Sequence, residues 1–210
     1  MDDKRLFGGE SVLRFSAERD RRNFLKWAAI VGVGGTLAIS MRDGSGSAQG
    51  GNRDVDILNY ILTLEYLEAD FYSRGMDAGI LSGRDQELIE PIAGHEKEHV
   101  ALISSTIQDL GADPIDEPRI DYPGGTFSGR DDFLGTAHTI ESLQVTAYQG
   151  QVTYVKDTNL LGAAASIAGT ESRHAAIVAD LTGRDPFPAP IESARSKKKV
   201  LRAARSFIKS

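Results

Sequence analysis

The chain has 210 residues, 40% of them hydrophobic and 26% charged, which suits one ordinary globular domain with extensions. It contains no cysteine, which excludes disulfides, thiolate nucleophiles, iron–sulfur clusters and cysteine-ligated zinc, so a metal site must be built from carboxylate and imidazole. The formal charge of −6 is unevenly spread: residues 49–194 carry 9 Lys/Arg against 24 Asp/Glu, whereas 195–210 carry seven basic residues and no acidic one, so the body argues against nucleic acid as a partner and suits cations.

The first element in chain order is an address. Residues 20–40 read DRRNFLKWAAIVGVGGTLAIS, with Arg21-Arg22 ahead of a weakly hydrophobic run from Trp27 to Ile39. This resembles a twin-arginine export signal, a receptor-read address rather than a fold element. Its 13 apolar-run residues fall short of the roughly 20 a spanning helix needs. The Gly/Ser-rich stretch 42–54 reads as cleavage region and linker, with Ala48 the last signal residue, which gives a signal over 1–48 and a linker over 49–52. The competing readings are an uncleaved membrane anchor and a basic tail with a chance arginine pair. Export by this route carries folded proteins, so it suits a domain that takes up a cofactor first and then works in the periplasm, outside the cell or at its surface.

Four segments with helical periodicity follow, at about 53–75, 84–110, 131–156 and 159–182. Their stripes are Leu58, Ile61, Glu65, Glu68, Tyr72; Ile89, Ile92, Glu96, His99, Ile103, Leu110; Leu134, Ala137, Glu141, Gln144, Tyr148, Val155; and Leu160, Ala164, Ile167, Glu171, His174, Val178, Leu181. Such stripes are what helices bury against one another, and alternating β-branched runs are absent. The connections within each pair are short, whereas the one between pairs is long and rich in Pro and Gly. The expected fold is all-α, a four-helix bundle with one long crossover over 53–186.

The two hairpins repeat each other. TLEYLEADFY (63–72) aligns with TIESLQVTAY (139–148) at an offset of 76, and HEKEHVALI (95–103) with TESRHAAIV (170–178) at an offset of 75. Glu65 therefore pairs with Glu141, Tyr72 with Tyr148, Glu96 with Glu171 and His99 with His174. Buried carboxylates without partners cost several kcal/mol each, and cations remove that penalty. Residues i and i+3 share a helix face, so each Glu-x-x-His offers an oxygen and a nitrogen to one region. The alternative is a set of buried ion pairs without metal.

At these residues the chain resembles the ferritin-like superfamily of carboxylate-bridged dimetal proteins. LEYLEADFY, ASIAGTESRHAAIV and the closing KKVLRAARSFI resemble, more narrowly, exported ferritin-like domain proteins of the desiccation-related group. The resemblance implies a metal set of Glu65, Glu96, His99, Glu141, Glu171 and His174, with Glu65 and Glu141 terminal and Glu96 and Glu171 bridging. It implies two iron ions as cofactor, with manganese the alternative, and a history of oxidant chemistry. Glu68, whose repeat partner is Gln144, is read with it as supporting the ligands rather than binding metal. Tyr72 and Tyr148 either hydrogen-bond to ligands, trap oxidising equivalents as catalytic groups, or serve as core tyrosines. His138 is read as a polar neighbour, and His95 and Glu98 as solvated residues off the stripe.

The extension 187–210 opens on FPAP and closes on a basic helix with Val200, Leu201, Ala204, Phe207 and Ile208 at helical spacing. It is expected to pack on the bundle with its basic face outward; attachment to an acidic surface such as anionic lipid is the alternative. Three functions fit: an oxidoreductase of ferroxidase, peroxidase or catalase type, a stress-related module that sequesters metal, and a structural protein with an empty site. Partners would be metal ions, oxygen or peroxide, the twin-arginine export machinery and copies of the chain itself.

Overall fold

The computed structural model describes the backbone of residues 48–209, with side chains from Arg53. Apart from its last residue, the signal read over 1–48 lies outside them. Helix α1 spans Ala48–Asp77, α2 Gly83–Asp109, α3 Arg130–Gln151, α4 Thr158–Leu181 and α5 Lys197–Ala204. Two short strands, β1 (Arg119–Ile120) and β2 (Ile208–Lys209), pair antiparallel. α1 packs along α2 and α3 along α4, and the two hairpins meet through α1 with α3 and α2 with α4. The expected all-α bundle with a long crossover and an additional C-terminal helix is therefore what forms. Among the described residues no helix is long and apolar enough to cross a membrane.

The stripes are buried almost throughout, and each helix interrupts its apolar face at the same level. One apolar cluster contains Phe71, Tyr72, Ile89, Phe133 and Val178. The other contains Ile61, Leu64, Ile103, Ala147 and Ile167. In every long helix the Glu, Gln or His positions of the stripe fall between these two clusters, so the polar groups form one layer across the bundle.

Three boundaries differ from the periodicity, each for a local reason. The stretch read as a linker, 49–52, belongs to α1. Extending an existing helix needs no new nucleus, so Gly50 and Gly51 weaken its start without ending it. α3 stops at Gln151, followed by a 3-10 turn over Val152–Tyr154, and Val155 leaves the stripe. Here buried Asp54 accepts from the backbone N–H groups of Lys156 and Asp157, both at 2.9 Å, which draws those donors away from a continuing helix. Asp157 in turn caps α4 by accepting from Asn159 and Leu160, a cap worth about 1 kcal/mol.

The C-terminal helix ends at Ala204 rather than running through Ile208. Phe207 is buried and its carbonyl accepts from Asp121 N–H at 2.8 Å, so the last residues pair with the crossover instead of coiling. Val200 and Ala204 face the bundle while the lysines at 197–199 stay exposed, as expected for the packed reading of this tail. The segment ahead of it lies tight on α3: Arg195 N–H donates to the Thr146 carbonyl at 3.0 Å. A Cβ on Gly150 would stand 1.9 Å from the Arg195 carbonyl oxygen, so only glycine permits that approach. The crossover is held to α1 by Asn59, which accepts from Ile115 N–H at 2.9 Å, and by Asp70, which accepts from the Tyr122 hydroxyl at 2.9 Å.

Candidate metal centre

The polar layer holds Glu65 and Glu68 from α1, Glu96 and His99 from α2, Glu141 and Gln144 from α3, and Glu171 and His174 from α4. The five glutamates have no exposed surface, and both histidines are buried. His99 Nδ1 lies 2.9 Å from Glu171 Oε1, 3.1 Å from Glu96 Oε2 and 3.4 Å from Glu65 Oε2. His174 Nδ1 lies 2.8 Å from Glu96 Oε1, 3.6 Å from Glu171 Oε2 and 4.0 Å from Glu141 Oε2. Glu96 and Glu171 thus present one oxygen to each histidine, whereas Glu65 approaches only His99 and Glu141 only His174. The result is a two-lobed donor cluster that shares two carboxylates across its middle.

The tyrosines cross between hairpins. Tyr72 donates to Glu141 Oε1 and Tyr148 to Glu65 Oε1, each at 2.5 Å. Each repeat therefore anchors the glutamate of the other, and both phenols are held far above their ordinary titration range, first by burial and then by these carboxylates. Among the Glu, Gln and His positions of the stripes the repeat breaks at Gln144. Gln144 donates from Nε2 to Glu65 Oε1 at 2.7 Å, but its counterpart Glu68 is a carboxylate with both oxygens unpartnered among the described residues. Glu68 also comes close enough to Glu141 and Glu171 for all three to offer an oxygen to one ion. Glu68, read as supporting the ligands, is thus also within reach of two of them.

The donor set is not satisfied internally. Glu65 Oε2, both oxygens of Glu68, Glu96 Oε1, Glu141 Oε2, both oxygens of Glu171 and His174 Nδ1 are buried without a hydrogen-bond partner among the described residues. His174 Nδ1 and Glu96 Oε1 are close in space yet not aligned to share a proton. The two Glu68 oxygens lack even a facing histidine, and leaving each unmet costs about 1–3 kcal/mol. Atoms that converge without bonding each other are suited to a shared cation.

Titration follows the same logic. Burial raises the carboxyl of Glu65 to about 8 against the opposing hydrogen bond from His99. Burial likewise pushes Glu68 and Glu141 well above the carboxylate range, with neighbouring carboxylates adding to it. Glu96 goes the other way, to about 2, because the two histidines outweigh its burial. Burial alone would lower both imidazoles, but the facing carboxylates raise His174 to about 10 and His99 higher still. Without metal, the layer is a store of protons.

Residues 53–184 match the profile of the ferritin-like domain. The chain belongs to the ferritin-like domain family. No match emerged among curated proteins. Among solved structures this ferritin-like domain is similar to one described as ferritin-like, diiron-carboxylate proteins from Bacillus anthracis str. Ames. The two share 19% sequence identity with a TM-score of 0.54, over 65% of this chain and 99% of that one, which establishes the fold.

Among the described residues three groups of donors converge: Glu65, Glu96, His99 and Glu171; Glu96, Glu141 and His174; and Glu68, Glu141 and Glu171. All six residues read from the repeat are brought together. His138 is half-buried and stands outside these groups, and Glu98 is exposed. His95 departs from its reading as merely solvated: its Nδ1 is 3.0 Å from His174 Nε2, and the rings stack at 5.2 Å. The signal for it was present in His95-Glu96-x-x-His99, where two histidines at i and i+4 share a face. Stripe reasoning missed it because an exposed position one residue off the apolar face still reaches across to the neighbouring helix.

Proposed function

We propose that this protein holds two transition-metal ions in the polar layer and handles oxygen, peroxide or iron under oxidative or desiccation stress. The observation that carries the reading is the sharing of Glu96 and Glu171 between His99 and His174. In this reading Glu65 and His99 complete one ion's set, Glu141 and His174 complete the other's, and Glu68 lies at the second. Hard carboxylates with imidazole suit iron, with manganese as the alternative. The described similarity to a diiron-carboxylate protein supports iron. Two adjacent ions held there would supply paired electron changes to oxygen or peroxide.

The chain's own residues fix the orientation of the donors. Tyr72 and Tyr148 hold Glu141 and Glu65, Gln144 adds a second bond to Glu65, and His95 receives or donates the proton on the outer nitrogen of His174. Such outer bonds set ring orientation and ligand basicity. The two apolar clusters above and below the layer keep its dielectric low. As part of the same proposal, the twin-arginine pattern at Arg21-Arg22 sends the folded protein out of the cytoplasm; changing both to lysine should retain it there.

The deciding experiment is elemental analysis after loading with ferrous iron or manganese. About two equivalents per chain are expected, and Glu96→Ala should lose most of them because it removes a donor from both sets. The ferrous protein should then oxidise with oxygen or peroxide faster than free iron. A protein that stays metal-free after reconstitution refutes the centre; one that loads fully but consumes no peroxide reverts to a sequestering module.

A further inference from the structure

The internal repeat supplies a comparison within one molecule. At one end of the bundle Phe71 stacks on Phe133 with ring centroids 4.7 Å apart and planes at 2°, and Ile89 is fully buried. Offsets of 75 and 76 map this end onto the other hairpin's positions. Phe133 becomes Ile57, Ile89 becomes Ala164, Met76 becomes Val152, Leu181 becomes Thr106 and Phe71 becomes Ala147. Ala137, Val178 and Gly75 map onto larger residues, Ile61, Ile103 and Gln151, but these five replacements are all smaller. Where the first four of them meet, the structure leaves a cavity of about 300 Å³, walled also by Ile61, Ile103 and Tyr148. The same arrangement of helices stacks two phenyl rings at one end and leaves a cavity at the other.

The chemistry of the wall selects what fits. Thr106 donates to the Leu102 carbonyl and Ser172 to that of Ala168. Tyr148 is engaged by Glu65, and both oxygens of Asp54 by backbone N–H groups. No lysine or arginine lines the cavity among the described residues, so a carboxylate or phosphate head would find no counter-charge. Gln149 and Gln151 also border the cavity as uncharged amides, so a neutral, largely apolar molecule suits it best, and the volume is at the small end of ligand pockets. A helix about 10–12 Å across does not fit such a space, and the wall is far smaller than the roughly 800 Å² a stable dimer buries per partner.

We propose that this cavity binds a neutral, apolar organic molecule, seated against Tyr148 and so one hydrogen bond from the carboxylate layer. It names a class of co-substrate for the proposed centre, and rests on that reading only for the effect on oxidation given last. Binding is tested on the full-length, metal-free chain by titrating phenylnaphthylamine fluorescence. The expected result is saturable uptake of one probe per chain, displaced by octanol and at least about tenfold less well by octanoate. Ile57→Phe with Ala164→Ile writes the residues of the filled end into the hollow one and should abolish uptake while leaving the chain folded. If that double variant fails to fold, the octanol and octanoate comparison still decides.

Absent or non-saturable uptake, equal displacement by octanoate, or unchanged uptake in a folded double variant overturns the proposal. A cavity already covered by another copy or by the N-terminal segment gives no uptake and overturns it too. In iron-loaded protein, octanol should change the oxidation rate of the parent and leave that of the double variant alone. Uptake by a chain that binds no metal would refute the dimetal centre and leave the cavity proposal standing.

Discussion

Replacing Glu68 by glutamine should stabilise the metal-free protein, and increasingly so as pH rises. Glu68 has no exposed surface and neither of its oxygens has a partner among the described residues. Burial first, then the charges of Glu171, Glu96, Glu141 and Glu65, push its carboxyl well above the ordinary range. A raised folded-state value means that the folded chain keeps a proton the unfolded chain releases. The stability from that proton is complete below the unfolded carboxyl value and is lost at about 1.4 kcal/mol per pH unit as pH rises toward the folded value.

Glutamine has no such proton to lose. Its amide can also donate to neighbouring carboxylates, as Gln144 does to Glu65 at 2.7 Å, a bond worth about 1.5–3 kcal/mol to a charged acceptor. Between pH 5 and pH 7 the advantage of Glu68→Gln should grow by up to about 2.7 kcal/mol, or roughly 5–10 °C in Tm for a domain of this size. Scanning calorimetry of chelator-treated parent and variant at the two pH values measures it. In metal-loaded protein the gain should shrink or reverse, since a cation compensates the carboxylate. A variant destabilised at both pH values, or a gain that does not grow with pH, would mean that Glu68 is charged and satisfied, and would refute the reasoning.

Tyr148→Phe should leave metal content intact but cost about 1–2 kcal/mol in the metal-free protein, because Glu65 loses a buried donor at 2.5 Å; chemical denaturation and elemental analysis separate the two effects. Metal affinity should rise with pH through the neutral range, since His99 and His174 are held protonated by their carboxylates and Glu65 titrates near 8; ions must displace those protons, and calorimetric titrations in buffers of different ionisation enthalpy count them. Gly150→Ala should free the segment around Arg195 from α3, because the new Cβ would meet the Arg195 carbonyl at 1.9 Å; faster proteolysis ahead of α5 with an otherwise intact bundle is the expected readout.

Period, repeat and residue type determined more of this protein than its length would imply. The 3.6-residue stripes specify helices, the short and long connections specify the hairpins and crossover, and charged groups inside an apolar stripe mark a site because burial must be compensated. The coincidence of Glu65 with Glu141 at an offset of 76 and of Glu96 with Glu171 at 75 places the six donors at one level from the sequence alone. Other features depend on contacts between segments distant in the chain. Asp54 ends α3 by holding Lys156 and Asp157 across 102 and 103 residues, and no local propensity records that. His95 meets His174, and Glu68 leans on Glu141 and Glu171, only because neighbouring helices have a particular rotation and height. The hollow end is the clearest case: Ile57 and Ala164 are ordinary apolar residues in sequence, and their smallness acquires meaning only where the folded chain brings them to one cavity wall. A pattern of one helix reports which face is buried; what fills the space in front of that face is decided by the other helices.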